Sequence, residues 1–168
     1  MRFAPAAAAL SLALAMTASV GWSAEREPDP RAAMLIAEGQ SALKGGDVQA
    51  AIDAYEAALT VDPGYTPLYL RLAEAARKDQ LQGKAISYYR EVLTRDPRNY
   101  AAIAGEGEAL LEKGALEKAR ANLARLESVC GKTCPETQKL AAAIATGPAP
   151  RVMTAEATIA TEQQPQSN

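Results

Sequence analysis

From Ala51 the chain reads AIDAYEAALTVDPGY, and thirty-four residues later it reads AISYYREVLTRDPRN. Ala51 and Ala85, Ile52 and Ile86, Tyr55 and Tyr89, Leu59 and Leu93, Thr60 and Thr94, Asp62 and Asp96, and Pro63 and Pro97 all keep that offset. A fixed period of this size marks a supersecondary unit that buries its apolar face against copies of itself. Within the units the apolar residues (Ile52, Tyr55, Leu59; Ile86, Tyr89, Val92, Leu93) recur every three or four positions, which is helical spacing. The Asp-Pro pair ends each unit, because proline disfavours helix at the residue before it. The chain is therefore expected to be all-α, with helix starting near Asp29 as N-cap and Pro30 in the first turn.

The pattern resembles the tetratricopeptide repeat, a 34-residue helix–turn–helix. Residues 32–65 supply Leu35, Gly39, Ala42, Ala51, Tyr55, Ala58 and Pro63. Residues 66–99 supply Tyr69, Leu72, Ala73, Ala76, Ala85, Tyr89, Val92 and Pro97, and residues 100–133 supply Ile103, Gly107, Leu110, Ala119, Leu123 and Leu126. The resemblance implies a right-handed α-solenoid over residues 30–146: three units, then a capping helix over 134–146. Gly39, Ala73 and Gly107 would let the first helix of each unit approach the second. Ala51, Ala85 and Ala119 would do the same from the second helix, with Tyr55, Tyr89 and Leu123 filling the space between. All of these are expected to be core. The third unit departs from the pattern, with Cys130-Gly131 where its predecessors have Asp-Pro. Pro135 and Glu136 then suit a new helix start, with Cys134 or Thr133 in the N-cap region.

By the same resemblance, the first helices of the units present a concave face to a protein or peptide partner. On this chain that face is Gln40, Lys44, Arg71, Glu74, Lys78, Glu108 and Glu112. Read along the array, the charges run from basic to acidic. Some relatives clamp a C-terminal carboxylate with Lys and Asn at these positions. Here the corresponding residues are Ile36 and Gln40 in the first unit and Ala101 and Gly105 in the third, so the clamp is not carried over.

The chain has no histidine. That removes Ser-His and Cys-His nucleophile pairs, imidazole metal ligands and the commonest general base. No Gly-rich phosphate loop and no metal constellation stands in their place. The expectation is a non-enzyme without cofactors. A formal net charge of −2, with no block of Lys/Arg, also disfavours nucleic acid as partner.

The first residues, MRFAPAAAALSLALAMTASVGWSA, read as a secretory signal peptide over 1–24: a positive start, an apolar run from Ala6 to Val20, then small residues. Cleavage after Gly21, Ser23 or Ala24 would remove Arg2 and leave 17 Lys/Arg against 20 Asp/Glu, a net −3. An uncleaved membrane anchor is the competing reading, for which the apolar run is short. Residues 25–29 read as a linker and 147–168 as a disordered tail. In an exported chain Cys130 and Cys134 are expected to form a disulfide across the turn into the capping helix. A zinc site would lack two ligands, and a redox motif would place two residues, not three, between the cysteines. Two functions compete: an exported, periplasmic or secreted adaptor that binds a peptide on the concave face, and a self-associating or complex-forming structural module of the envelope.

Overall fold

A computed structural model describes residues 26–147. The expected signal peptide, and the expected tail beyond Gly147, lie outside the described residues. Seven helices follow one another: α1 (Pro30–Gly45), α2 (Val48–Val61), α3 (Thr66–Lys78), α4 (Gln82–Arg95), α5 (Tyr100–Glu112), α6 (Leu116–Val129) and α7 (Pro135–Thr146). There is no strand among the described residues. α1 packs on α2, α3 on α4 and α5 on α6. Each pair stacks on the next through α2 with α3 and α4 with α5, and α7 closes the stack against α5 and α6. The result is an α-solenoid. Among the described residues no helix is long and apolar enough to cross a membrane.

The helix ends follow from local chemistry. The Asp29 carboxylate accepts the Arg31 N–H at 2.9 Å, and Pro30 follows it in the first turn. α1 stops at Gly46, whose φ of 85° is a left-handed conformation that glycine adopts at little cost. The Asp47 carboxylate then accepts the Ala50 N–H at 2.9 Å and starts α2. Asp62 (φ −135°, ψ 76°) and Asp96 (φ −132°, ψ 88°) both leave the helical region directly before proline, ending α2 and α4. Where the third unit lacks that proline, α6 ends at Cys130 and the chain turns through Gly131 at φ 93°. Cys134 is the N-cap residue of α7, without a capping side-chain hydrogen bond.

The small and large positions sort as their spacing predicts in the first two units. Ala51, Ala73, Ala85 and Ala119 are fully buried, and Tyr55 and Tyr89 are the largest enclosed side chains. A methyl group at Gly39 would lie 2.7 Å from Tyr55 Cδ1, so glycine there is a consequence of the ring across from it. The third unit differs. A Cβ on Gly107 would first meet Leu140 of α7, at 2.6 Å, and then Asn122 of α6, at 3.3 Å. The capping helix, not the filler from the unit's own second helix, thus makes the closest demand at Gly107.

Because α3, α4, α6 and α7 all press on α5, every residue from Ala102 to Leu111 is buried. Two of them are carboxylates. Glu106 accepts from Arg90 Nε at 2.7 Å and from Asn122 Nδ2 at 3.1 Å. Glu108, two residues on and so on the other side of the helix, pairs with Arg77. At the opposite end of the stack, buried Asp62 does more than precede a proline. It accepts the Asp29 N–H at 3.0 Å and pairs with Arg26, which ties the segment before α1 to the end of the first unit.

Candidate functional site: the concave face

α1, α3 and α5 line one side of the stack, and two depressions lie along it. The first, of about 320 Å³, is bounded by Gln40, Leu43 and Lys44 of α1, Tyr55 of α2, and Arg71 and Glu74 of α3. The second, of about 650 Å³, is bounded by Glu74, Arg77 and Lys78 of α3, Ala101, Ala104, Gly105 and Glu112 of α5, and Pro135, Glu136 and Lys139 of α7, with Tyr89 at its floor. Glu74 belongs to both. Six of the seven residues expected on this face line one depression or the other. The helical period explains this: Arg71, Glu74 and Lys78 are three and four apart, hence on one stripe of α3.

Glu108 corrects the expectation. It is 3% exposed and lies beneath the face instead of on it. It forms an ion pair with Arg77, and Lys139 of α7 stands 3.1 Å from its Oε1. Glu112, also expected as a free acidic contact, accepts from Arg77 Nε at 2.8 Å. The acidic end of the face is therefore already met by the protein's own cations, and the expected gradient from basic to acidic is not what a ligand encounters. Arg77 and Lys139 escaped the sequence reading because neither sits at a groove position of the repeat. The available signal was Glu108 and Glu112 at i and i+4, two carboxylates facing one way.

Electrostatics follows the same division. Burial works against the Arg77 charge, but Glu108 and then Glu112 outweigh it and hold the guanidinium above its ordinary range. Burial pushes the Tyr89 phenol up to about 12, with Arg77 opposing. Burial also raises Tyr55, opposed by Arg71 beside it. At the other end of the face, Lys44, Arg71 and Lys78 enter no ion pair among the described residues. Arg71 is half-buried, and its Nε is enclosed without a hydrogen-bond acceptor. A half-buried arginine that lines a depression and has no carboxylate partner is a group that an acidic ligand can meet.

The sulfurs of Cys130 and Cys134 meet, with Cα atoms 5.8 Å apart, a separation that suits a disulfide. Among the described residues, Glu136 is the one further group with ligand chemistry nearby. Cysteines at this Cα separation have the geometry of a bonded pair, which would offer no thiolate ligand, so the trio fits a staple better than a metal centre.

Two models of the tetratricopeptide repeat match the chain, one over residues 2–66 and again over 36–100, the other over 83–144. No curated protein matches it significantly. Among solved structures, it is similar to the Sgt2 TPR domain from Aspergillus fumigatus, with TM-score 0.63 and 18% identity over 84% of this chain and 89% of that one. The first TPR domain of Spaghetti (RPAP3), bound to the HSP90 peptide SRMEEVD, gives TM-score 0.61 and 22% identity over 71% and 94%. The Yersinia enterocolitica type III secretion chaperone SycD, in complex with a peptide of the translocator YopD, gives TM-score 0.60 and 19% identity over 70% and 89%. At these identities the likeness is one of fold.

Proposed function

The chain belongs to the tetratricopeptide repeat family, and we propose that it is an exported adaptor whose concave face holds an acidic peptide segment of another protein. One observation carries this reading. Arg71, half-buried in the middle of the face, has no carboxylate partner among the described residues, while Lys44 lines the same depression and Lys78 the next. An arginine in that setting offers two parallel hydrogen bonds to a carboxylate, and the lysines add flexible point charges. Structural neighbours bound to the peptides SRMEEVD and, in the second TPR domain of human RPAP3, SGPTIEEVD lend support, since both peptides carry acidic residues. Catalysis has no place in the reading: the fold is an interaction scaffold, and the chain has no histidine.

Export rests on the leader in residues 1–24, and it makes Cys130–Cys134 a stable disulfide that fastens α7 in an oxidising compartment. Intact mass of the protein recovered from its native compartment tests this. Loss of the first 21 to 24 residues is expected, and full-length protein held in membranes would overturn it. The adaptor role is tested by crosslinking in that compartment, followed by titration of the identified partner against wild-type and Arg71→Ala with Lys78→Ala. Unchanged affinity in the double variant, with loss on altering the outer surfaces of α2, α4 and α6, would assign binding to another surface.

A further inference from the structure

The two depressions differ in one register position, and that difference selects what the second can take. Residues 71 and 105 are equivalent in the repeat, thirty-four apart. In the middle unit the position is Arg71, whose side chain lies beside Tyr55 and fills much of the space there, leaving about 320 Å³. In the third unit it is Gly105, lying against Tyr89 of α4, where even a Cβ would be 2.6 Å from the phenol oxygen. No side chain rises from α5 at that point. Ala101 and Ala104, on the same stretch of α5, are nearly as small, and the depression opens to about 650 Å³. Its floor and far wall, made of Tyr89, Ala101, Ala104, Gly105 and Pro135, carry no charge. Ala101 and Gly105 are the clamp positions of the third unit, so the departure that removes the clamp there leaves an uncharged floor within a rim of Glu74, Arg77, Lys78, Glu112, Glu136 and Lys139.

Building on the groove reading above, we propose that the second depression is a pocket for one bulky apolar side chain, aromatic or large aliphatic, of the same acidic peptide. Charge complementarity fixes where the rest of that peptide lies. Arg71 and Lys78 are the cations of α3 on this face without an ion pair among the described residues, and they are separated by two helical turns, about 10 Å. An extended chain covers that distance in about three residues. A carboxylate held at Arg71 therefore sets a residue some three positions away beside Lys78, at the mouth of the pocket between α5 and α7. The pocket's volume is ordinary for a ligand site, and an aromatic ring buries enough apolar surface there to dominate the contact. Arg77 and Lys139 pair with Glu108 and Glu112, so the carboxylates that the acidic segment must clear are Glu74 and Glu136 on the rim.

The test uses two fluorescein-labelled decapeptides that differ at one position. Each carries an Asp-Glu pair, then two glycines, then either phenylalanine or alanine. Anisotropy is measured against the full chain and against Ala101→Trp, a substitution at an exposed position that fills the pocket mouth without entering the core. The phenylalanine peptide is expected to bind wild-type about tenfold more tightly or better, and Ala101→Trp is expected to bring that ratio to about one. Circular dichroism confirms that the variant is folded. Equal affinity of the two peptides for wild-type, with both weakened by Arg71→Ala and Lys78→Ala, would refute the pocket and leave the groove reading standing. A preference for phenylalanine that survives Ala101→Trp would place the anchor elsewhere. No binding of either peptide would overturn the groove and the pocket together.

Discussion

Arg77 of α3 and Glu108 of α5 form an ion pair under the concave face, and the Glu108 side chain is 4% exposed. The pair joins the middle unit to the third, and Lys139 extends it to α7. Removing one partner of a buried pair leaves the other without compensation, which costs about 3–5 kcal/mol when the survivor is fully enclosed. Arg77 is 26% exposed and keeps Glu112, so Glu108→Ala is expected to cost less, roughly 2 kcal/mol. Arg77→Ala is expected to cost more, because it strands Glu108 with only solvent-exposed Lys139. Urea unfolding of the two single variants and the double variant gives both values and their coupling. Additive losses would mean that the pair does not act as one.

Glycine-to-alanine substitutions should change sign with position. Alanine gains up to about 1 kcal/mol over glycine inside a helix. At Gly83, in the first turn of α4, nothing lies within 4 Å of an added Cβ, so Gly83→Ala is expected to raise the melting temperature by a few degrees. At Gly39 the same methyl runs into the Tyr55 ring. Overpacking there is expected to outweigh propensity, with a net loss of about 1–2 kcal/mol. Thermal melts of the two variants suffice, and stabilisation by Gly39→Ala would show that Tyr55 can step aside.

Much of this architecture was legible because period, small/large alternation and Asp-Pro ends each report one local cause. Tyr55 demands a small residue at position 39, and the sequence records both. Glu108 was misplaced because a repeat pattern assigns a face from average register, while burial is set by what stacks next. Only the docking of α7, through Leu140 on Gly107 and Lys139 on Glu108, makes α5 an enclosed helix. That contact joins residues some thirty apart and lies in the one segment that departs from the repeat. The latch of Arg26 and Asp29 on Asp62 was hidden for the same reason. Asp62 looked like half of a helix-stopping pair, and nothing local distinguishes it from Asp96.

Reduction should loosen the distal end first. Closing a five-residue loop is worth about 2 kcal/mol by chain entropy. Dithiothreitol, or Cys130→Ala with Cys134→Ala, is expected to lower the melting temperature and to speed amide exchange in α7 before α1–α4. Titration of free thiols in the untreated protein, or an unchanged melt, would contradict the bond.

Two groups set the pH limits in opposite senses. The Asp29 N–H and then Arg26 hold the Asp62 carboxyl below its ordinary value, against the effect of burial. A depressed acid contributes stability above its unfolded value, near 3.8, and loses it as pH falls through the folded one. Acid should therefore free the N-terminal segment, and trypsin should cut at Arg26 faster in Asp62→Asn than in wild-type at neutral pH. Tyr89 is raised from 10.0 to about 12, so its contribution is complete below pH 10 and disappears between 10 and 12. Tyr89→Phe should flatten the alkaline limb of the stability curve. An unaltered limb would assign alkaline unfolding to other groups.

The concave face should also show its charge through salt. Lys44, Arg71 and Lys78 are partly or fully exposed, so their attraction for an acidic peptide is screened over about 8 Å at physiological ionic strength. Binding of the Asp-Glu decapeptides is expected to weaken steadily from 50 to 500 mM salt, and the phenylalanine advantage should persist, because apolar burial is not screened. Arg71→Ala is expected to cost more than Lys78→Ala, each on the order of 1 kcal/mol. Arg71 is half-buried, with a fixed planar fork, whereas Lys78 is an exposed, flexible point charge. Lys118→Ala, an exposed cation on α6 away from the face, should leave affinity and salt dependence as they are. If Lys118→Ala weakened binding as much as Arg71→Ala does, the attraction would belong to overall charge and not to the groove. That is a difficult outcome to reconcile with a chain whose formal net charge is −2.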